Sequence, residues 1–180
     1  MWTEIFIPCY TAPLAEGEVR EMEWEPYLRD SILFRELAGY QFAALRPFVR
    51  GVRWQPQQLI FRQGDQARHL YVLIDGSVEL TYFYDGGPGF RGLSTVAVLE
   101  PSDTFGWSAL VEPCVYTLTA TAPRASQGCA IDGAQLRHVL RNRPDIAVRV
   151  YRGLTHLLAS RLEKMWGALV AERGLIGLWR

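Results

Sequence analysis

The sequence predicts a mainly β domain with flanking helices: a double-stranded β-helix, or jelly-roll-like β-roll, with N-terminal helices before it and one long C-terminal helix after it. Three observations predict this. Short alternating runs of apolar and polar residues recur between positions 50 and 131, separated by Gly, Pro and Asp, as in sandwiches and rolls. Two of these runs meet at Asp75-Gly76, a turn pair that joins antiparallel strands. From Ala147 to Leu169 the apolar residues change period and recur at helical spacing.

Residues 1–26 are expected to form an arm, and residues 27–180 the domain proper. The arm opens with an apolar cluster of Trp2, Ile5, Phe6 and Ile7. An acidic run of Glu16, Glu18, Glu21, Glu23 and Glu25 follows and reads as a solvated face. From position 27 to 49 apolar residues return at helical spacing: Leu28, Ile32, Leu33, Leu37, Phe42, Leu45 and Phe48. Two short helices broken near Gly39 fit them, with Asp30 or Ser31 near a helix start.

The first strand carries Val52 and Trp54 ahead of Pro56, the second spans positions 59–61, and Gly64-Asp65 turns the chain. Leu70, Val72 and Ile74 share a face of the third strand, and Val78, Leu80, Tyr82 and Tyr84 share one of the fourth. A glycine-rich loop over 85–92 leads to a strand over 93–99. Its Gly87, Gly89 and Gly92 match GxGxxG by letter, but Pro88 lies inside it and a β run follows, whereas the dinucleotide motif must open a helix. It reads as a hairpin loop.

Residues 105–122 organise the rest. A glycine is followed by one short helical turn and then by an alternating run with Thr117, Thr119 and Thr121 on one face and Leu118, Ala120 and Ala122 on the other. A short helix just after a glycine has free backbone N–H groups, which suit an anion; the plain alternative is a connection between two strands. After Ile131 a short helix is expected over 132–141, a break at Arg143-Pro144, and a long helix over 145–173 with Asp145 at its start. Its stripe of Ala147, Tyr151, Leu154, Leu158, Leu162, Met165 and Leu169 advances by 4, 3, 4, 4, 3 and 4, broadened by Val150, Leu157 and Trp166. That period suits straight or slightly right-handed packing of two helices. Such a stripe can lie on its own barrel, but this one is broad enough to serve two surfaces.

With Leu59-Ile-Phe-Arg-Gln-Gly-Asp65 and the run from Leu70 to Leu80, the chain resembles the cyclic nucleotide-binding domain of the catabolite activator protein (Crp/Fnr) superfamily over about residues 28–170. The matching points are Gly64, Gly76, Phe105-Gly106 and a closing alanine at Ala122. The resemblance implies a regulatory β-roll whose ligand cassette is made of Phe105, Gly106, Trp107, Ser108, Ala109, Tyr116, Thr117 and Leu118. It also implies a homodimer through the long helix, at Tyr151, Leu154, Leu158, Leu162, Met165 and Leu169, with Ser160, Arg161 and Glu163 beside the seam. Two positions depart from the family pattern: Trp107 stands where a glutamate takes the ribose hydroxyl, and Tyr116 where an arginine meets the cyclic phosphate. A hydrogen bond to a charged group contributes roughly 1.5–3 kcal/mol, so losing the arginine alone weakens phosphate binding about tenfold or more. The indole cannot accept the ribose protons either. Three options stay open: a different small-molecule ligand, a pocket closed by its own side chains, or weak nucleotide binding through backbone N–H groups.

Composition bounds the remaining classes. The chain has 180 residues, 49% of them hydrophobic, and zero formal net charge, so no overall field steers it to nucleic acid or an anionic membrane. Cys9, Cys114 and Cys129 lack the spacing of a zinc site or a disulfide framework, which suits a reducing cytoplasm. No run is long enough for a membrane span. Metal-dependent cupin enzymes share the barrel but need a histidine cluster, and the barrel region offers only His69, with His138 and His156 in later helices. No catalytic role, metal or cofactor is expected. The short stretch 174–180 cannot supply a DNA-reading element, so DNA binding by this chain alone is not expected either. The expected function is that of a stand-alone regulatory or sensor module that does not take cyclic AMP in the usual mode. The alternative is a protein–protein interaction module with a self-filled pocket.

Overall fold

The computed structural model describes residues 24–87 and 91–172. The expected arm falls almost wholly outside those residues, as do Gly89 of the glycine-rich loop, the stretch 174–180 and the Leu169 side chain. Eight strands form two four-stranded antiparallel sheets, in the order β1-β8-β3-β6 and β2-β7-β4-β5. They are β1 (Val49–Trp54), β2 (Gln58–Phe61), β3 (His69–Asp75), β4 (Val78–Asp85), β5 (Arg91–Leu99), β6 (Thr104–Phe105), β7 (Thr119–Ala122) and β8 (Ser126–Asp132). Strands far apart in sequence lie side by side, Val49 opposite Ile131 and Glu79 opposite Thr121, which is the winding of a β-roll.

Alternation fixes most faces as expected. On β7, Ala120 and Ala122 are fully buried while Thr119 and Thr121 are half-buried. β3 differs, because Leu70 through Ile74 are all buried. Tyr71 on one face meets Trp54 and Phe105 inside the roll, and the helix Glu25–Asp30 packs against the same strand. A strand covered on both sides reads as a continuous apolar run. Asp75-Gly76 carries the chain from β3 in one sheet to β4 in the other, a correction to the hairpin expected there. Instead β4 and β5 pair antiparallel on either side of the loop expected over 85–92, with a bulge between Leu80 and Thr81. The far half of this pair stands in solvent, and Tyr82, Phe83 and Leu93 are exposed there.

Four helices flank the roll: α1 (Glu25–Asp30), α2 (Gly39–Ala43), α3 (Gly133–Asn142) and α4 (Pro144–Glu172). Ser31 closes α1 rather than opening a helix, a correction to the expected start. Its N–H bonds the Tyr27 carbonyl, and its buried hydroxyl donates to the Leu28 carbonyl at 2.7 Å. Asp30 is the last residue of that helix, so it caps nothing either. The Asp132 carboxylate accepts the Gln135 N–H at 2.9 Å and caps α3. Pro144 occupies the first position of α4, where its missing N–H costs nothing.

The first half of α4 is anchored on the domain. Ile146, Val150, Leu154 and Leu157 are buried, and a Cβ on Gly153 would stand 2.6 Å from the Leu33 carbonyl oxygen. Only glycine allows backbones that close. Arg149 donates to the Glu36 carbonyl and Arg152 pairs with the Glu36 carboxylate. Past Leu157 the helix leaves the domain: Leu162, Met165 and Trp166 are at least half exposed.

Candidate functional site

The cassette begins where β6 ends. Phe105, 1% exposed, pairs with Tyr71 of β3, and the chain then reverses through Gly106 at φ 70°. A Cβ on Gly106 would lie 3.0 Å from the His69 carbonyl oxygen and 3.1 Å from the Tyr71 ring, so both the left-handed backbone and the close ring call for glycine. A single 3-10 turn, Trp107–Leu110, follows; no side chain caps it, and its first bonded N–H is that of Ala109, to the Gly106 carbonyl at 3.0 Å. The N–H groups of Trp107 and Ser108 therefore precede the first internal bond of the turn. Turn, short helix and strand come in the expected order.

Residues 111–118 return to the roll by clasping the segment between β2 and β3. Ala67 N–H bonds the Cys114 carbonyl at 2.7 Å, Tyr116 N–H bonds the Asp65 carbonyl at 2.9 Å, and Gly64 N–H bonds the Tyr116 carbonyl at 2.8 Å. These bonds drive the Tyr116 side chain inward. It is 4% exposed and lies flat on Phe61, with centroids 3.7 Å apart and planes 11° apart. Trp54, Tyr71 and Phe105 continue the cluster: Tyr71 stacks on Phe105 at 5.1 Å, and Trp54 meets both at 6.0 Å. Each such ring pair contributes about 0.5–1.5 kcal/mol beyond the burial itself.

The polar end of Tyr116 is also satisfied. Its hydroxyl donates to the His69 carbonyl at 2.7 Å and accepts the His69 N–H at 3.2 Å. Burial raises the Tyr116 phenol above its ordinary range, and burial followed by the neighbouring Tyr116 does the same to Tyr71. Both remain neutral. Where the family's arginine would present a cation to a phosphate, this chain presents a neutral ring packed against other rings.

Of the remaining cassette residues, Ser108 and Ala109 are buried, Gly106, Trp107 and Leu118 are half-buried, and Thr117 is exposed. Trp107 and Leu118 pack against the edge of the core. The indole at the glutamate position is half-buried against the core and makes none of the ring contacts that Tyr116 makes. Helix α3 is latched to the same turn through Arg137, which donates to the Ala109 carbonyl, and to the start of β3 through Gly133 N–H, which bonds the Arg68 carbonyl at 2.8 Å. Cys114 and Cys129 are free thiols, and burial pushes that of Cys129 up to about 12.

Tyr151, Leu158, Leu162 and Met165 are exposed along α4, while Leu154 turns inward at 6% exposure and belongs to the domain core. Arg161, expected beside a seam, reaches Asp103 of its own chain at 3.9 Å. Residue-by-residue reading missed the five-ring cluster and the Arg137 latch. A signal for the cluster existed: Tyr116 is in phase with Leu118, Ala120 and Ala122, the inward face of β7.

The fold is shared with solved structures. The cyclic nucleotide-binding domain from Methylobacillus flagellatus KT superposes with a TM-score of 0.69 at 16% identity, covering 82% of this chain and 80% of that one. The catabolite activator protein of Thermus thermophilus gives 0.62 at 26% identity, covering 79% and 63%. Among curated proteins, a CRP-like cAMP-activated global transcriptional regulator of Mycobacterium tuberculosis is 25% identical over 132 residues, 73% of this chain and 55% of that protein. A cAMP-dependent protein kinase regulatory subunit of Dictyostelium discoideum is 30% identical over 100 residues, 55% of this chain and 30% of that protein. The chain thus spans from about a third to just over half the length of these curated relatives. Residues 51–143 match the family model described as the cyclic nucleotide-binding domain, from the middle of β1 to the end of α3, and the chain belongs to that family.

Proposed function

We propose that this chain is a regulatory module in which the cyclic nucleotide-binding roll is kept and the nucleotide's phosphate position is filled from within. One observation carries the reading: Tyr116, at the family's arginine position, is buried in a ring stack with its hydroxyl bound to the His69 backbone. Opening that position for a phosphate would break the stack and leave a buried phenol without partners. The half-buried Trp107 adds to the mismatch at the ribose position.

Signalling through this fold requires two states that a ligand or partner binds differently. The elements suited to carry a change are the cassette turn, α3 latched to it through Arg137, and α4, which follows α3 directly. The exposed residues of α4, Tyr151, Leu158, Leu162 and Met165, fit pairing with a second copy. The same features support a second reading, a protein–protein interaction module with a self-filled pocket.

Titration of the purified chain with cyclic AMP and cyclic GMP tests the proposal. At micromolar ligand the melting temperature and Trp fluorescence are expected to stay unchanged, and a rise of several degrees would overturn it. The double variant Trp107→Glu, Tyr116→Arg restores both family side chains and is expected to gain cyclic AMP affinity of at least tenfold over the parent.

A further inference from the structure

Beside the cassette, an exposed arginine meets an imidazole. Arg50 of β1 reaches across the sheet and places its Nη2 2.8 Å from Nε2 of His69, the first residue of β3. Arg50 is always protonated, so the contact needs a lone pair on Nε2 and hence a neutral ring. Arg68 precedes His69 and acts on it electrostatically as well. Among the described residues, no carboxylate lies within ion-pair distance of Arg50 or Arg68.

The other groups facing this imidazole are few. Asp132 lies opposite His69 on β8, but its carboxylate accepts the Gln135 N–H at the start of α3. Tyr71 stands 6.0 Å away, ring to ring, and Tyr116 holds the His69 backbone through its hydroxyl. Burial, then Arg50 and Arg68, hold the His69 ring below its ordinary value, while Asp132 pulls the other way. Arg50 and Arg68 are exposed and His69 is half-buried, so a solute can reach all three.

We propose that Arg50 and His69 form an anion seat, with the neighbouring Arg68 adding positive charge, for the oxyanion of a small carboxylate or phosphate monoester. An incoming oxyanion would take the Arg50 N–H now given to His69. The released Nε2 would then take up a proton and donate to the same anion, so binding would strengthen as pH falls towards the ordinary histidine range. The seat also lies where movement would matter. Tyr116 clasps the His69 backbone, and the Arg68 carbonyl holds the Gly133 N–H at the start of α3.

The experiment follows the imidazole signals of the full chain by NMR, with calorimetry for affinity. The probes are inorganic phosphate and acetate, with chloride at matched ionic strength as control. The chain has 3 histidines, so His138 and His156 serve as internal references. The expected result is a saturable shift of His69 alone, with its titration midpoint raised, and affinity that grows from pH 8 to pH 6 in line with protonation of a histidine. Saturation by phosphate or by acetate names the class, and either supports the seat. Arg50→Gln is expected to weaken binding roughly tenfold. Should that variant misfold, His69→Gln carries the test, since it should keep a weaker seat but lose the pH dependence. No saturable shift with either probe, shifts shared equally by the three histidines, or undiminished binding in Arg50→Gln would overturn the proposal. The cyclic nucleotide titrations are decided separately, so either proposal can fail while the other stands.

Discussion

The cassette and the outer half of α4 are both rich in large apolar side chains, and the fold treats them in opposite ways. Around the cassette, Trp54, Phe61, Tyr71, Phe105 and Tyr116 are each no more than 8% exposed and satisfy one another. On α4 beyond Leu157, Leu162, Met165 and Trp166 are each at least 50% exposed and no part of the described chain covers them. In the first region the stabilising contacts are already made within the chain, which is what the proposal of a filled phosphate position rests on. The second leaves its apolar surface uncovered by the described chain, which is why pairing with a second copy is proposed there. On the proposed reading the interior is committed and the outward face is open to a partner, the reverse of a roll that waits for a ligand to complete its core.

The largest expected effect lies in the committed region. Replacing Tyr116 by Ala removes the ring from the Phe61 stack and should cost about 3–5 kcal/mol of unfolding free energy. Urea denaturation measures it. A variant as stable as the parent would mean that the ring is not filler and that the cassette opens readily, which would break the comparison.

A contrast along one helix gives the next effect. Leu154 and Leu162 lie on the same sequence stripe, but Leu154 is 6% exposed and Leu162 is 53% exposed. Leu154→Ala should cost about 2–5 kcal/mol of domain stability. Leu162→Glu should leave the unfolding of the monomer within about 0.5 kcal/mol and abolish association. Denaturation together with light scattering separates the two. An unchanged mass for Leu162→Glu would remove the exposed face of α4 as the pairing surface.

The same contrast shows how far the sequence could be read. Strand faces were legible wherever one side of a strand meets solvent, as on β7, because alternation then reports burial directly. β3 carried no such contrast once α1 and the cassette turn packed against it. The α4 stripe was legible as a stripe, yet its period cannot say where the helix leaves the domain. That point is set by tertiary contacts such as Gly153 against Leu33. The family resemblance located Trp107 and Tyr116 as departures, but not their different fates. Tyr116 points inward because its backbone is clasped by Gly64 and Asp65, bonds between segments far apart in the chain. Trp107 sits on a turn outside that clasp and stays half-buried.

The smallest expected effect concerns how α4 is tied to the domain at its committed end. The Asp145 carboxylate bonds Arg143 at 3.0 Å and accepts from Gln41 of α2 at 3.1 Å, and these partners, Arg143 first, lower it from 3.8 to about 2. A carboxyl depressed on folding stabilises the native state at pH values above its unfolded value. That contribution fades as the pH falls from about 4 to about 2, because the unfolded chain takes up the proton first. The group is exposed, so the effect is small. Denaturation midpoints measured from pH 5 to pH 2 should fall more steeply for the parent than for Asp145→Asn, with the two curves converging at the acid end. Parallel curves would show that the Asp145 contacts do not hold α4 to α2, and that the inner half of the helix rests on Ile146, Val150, Leu154 and Leu157 alone.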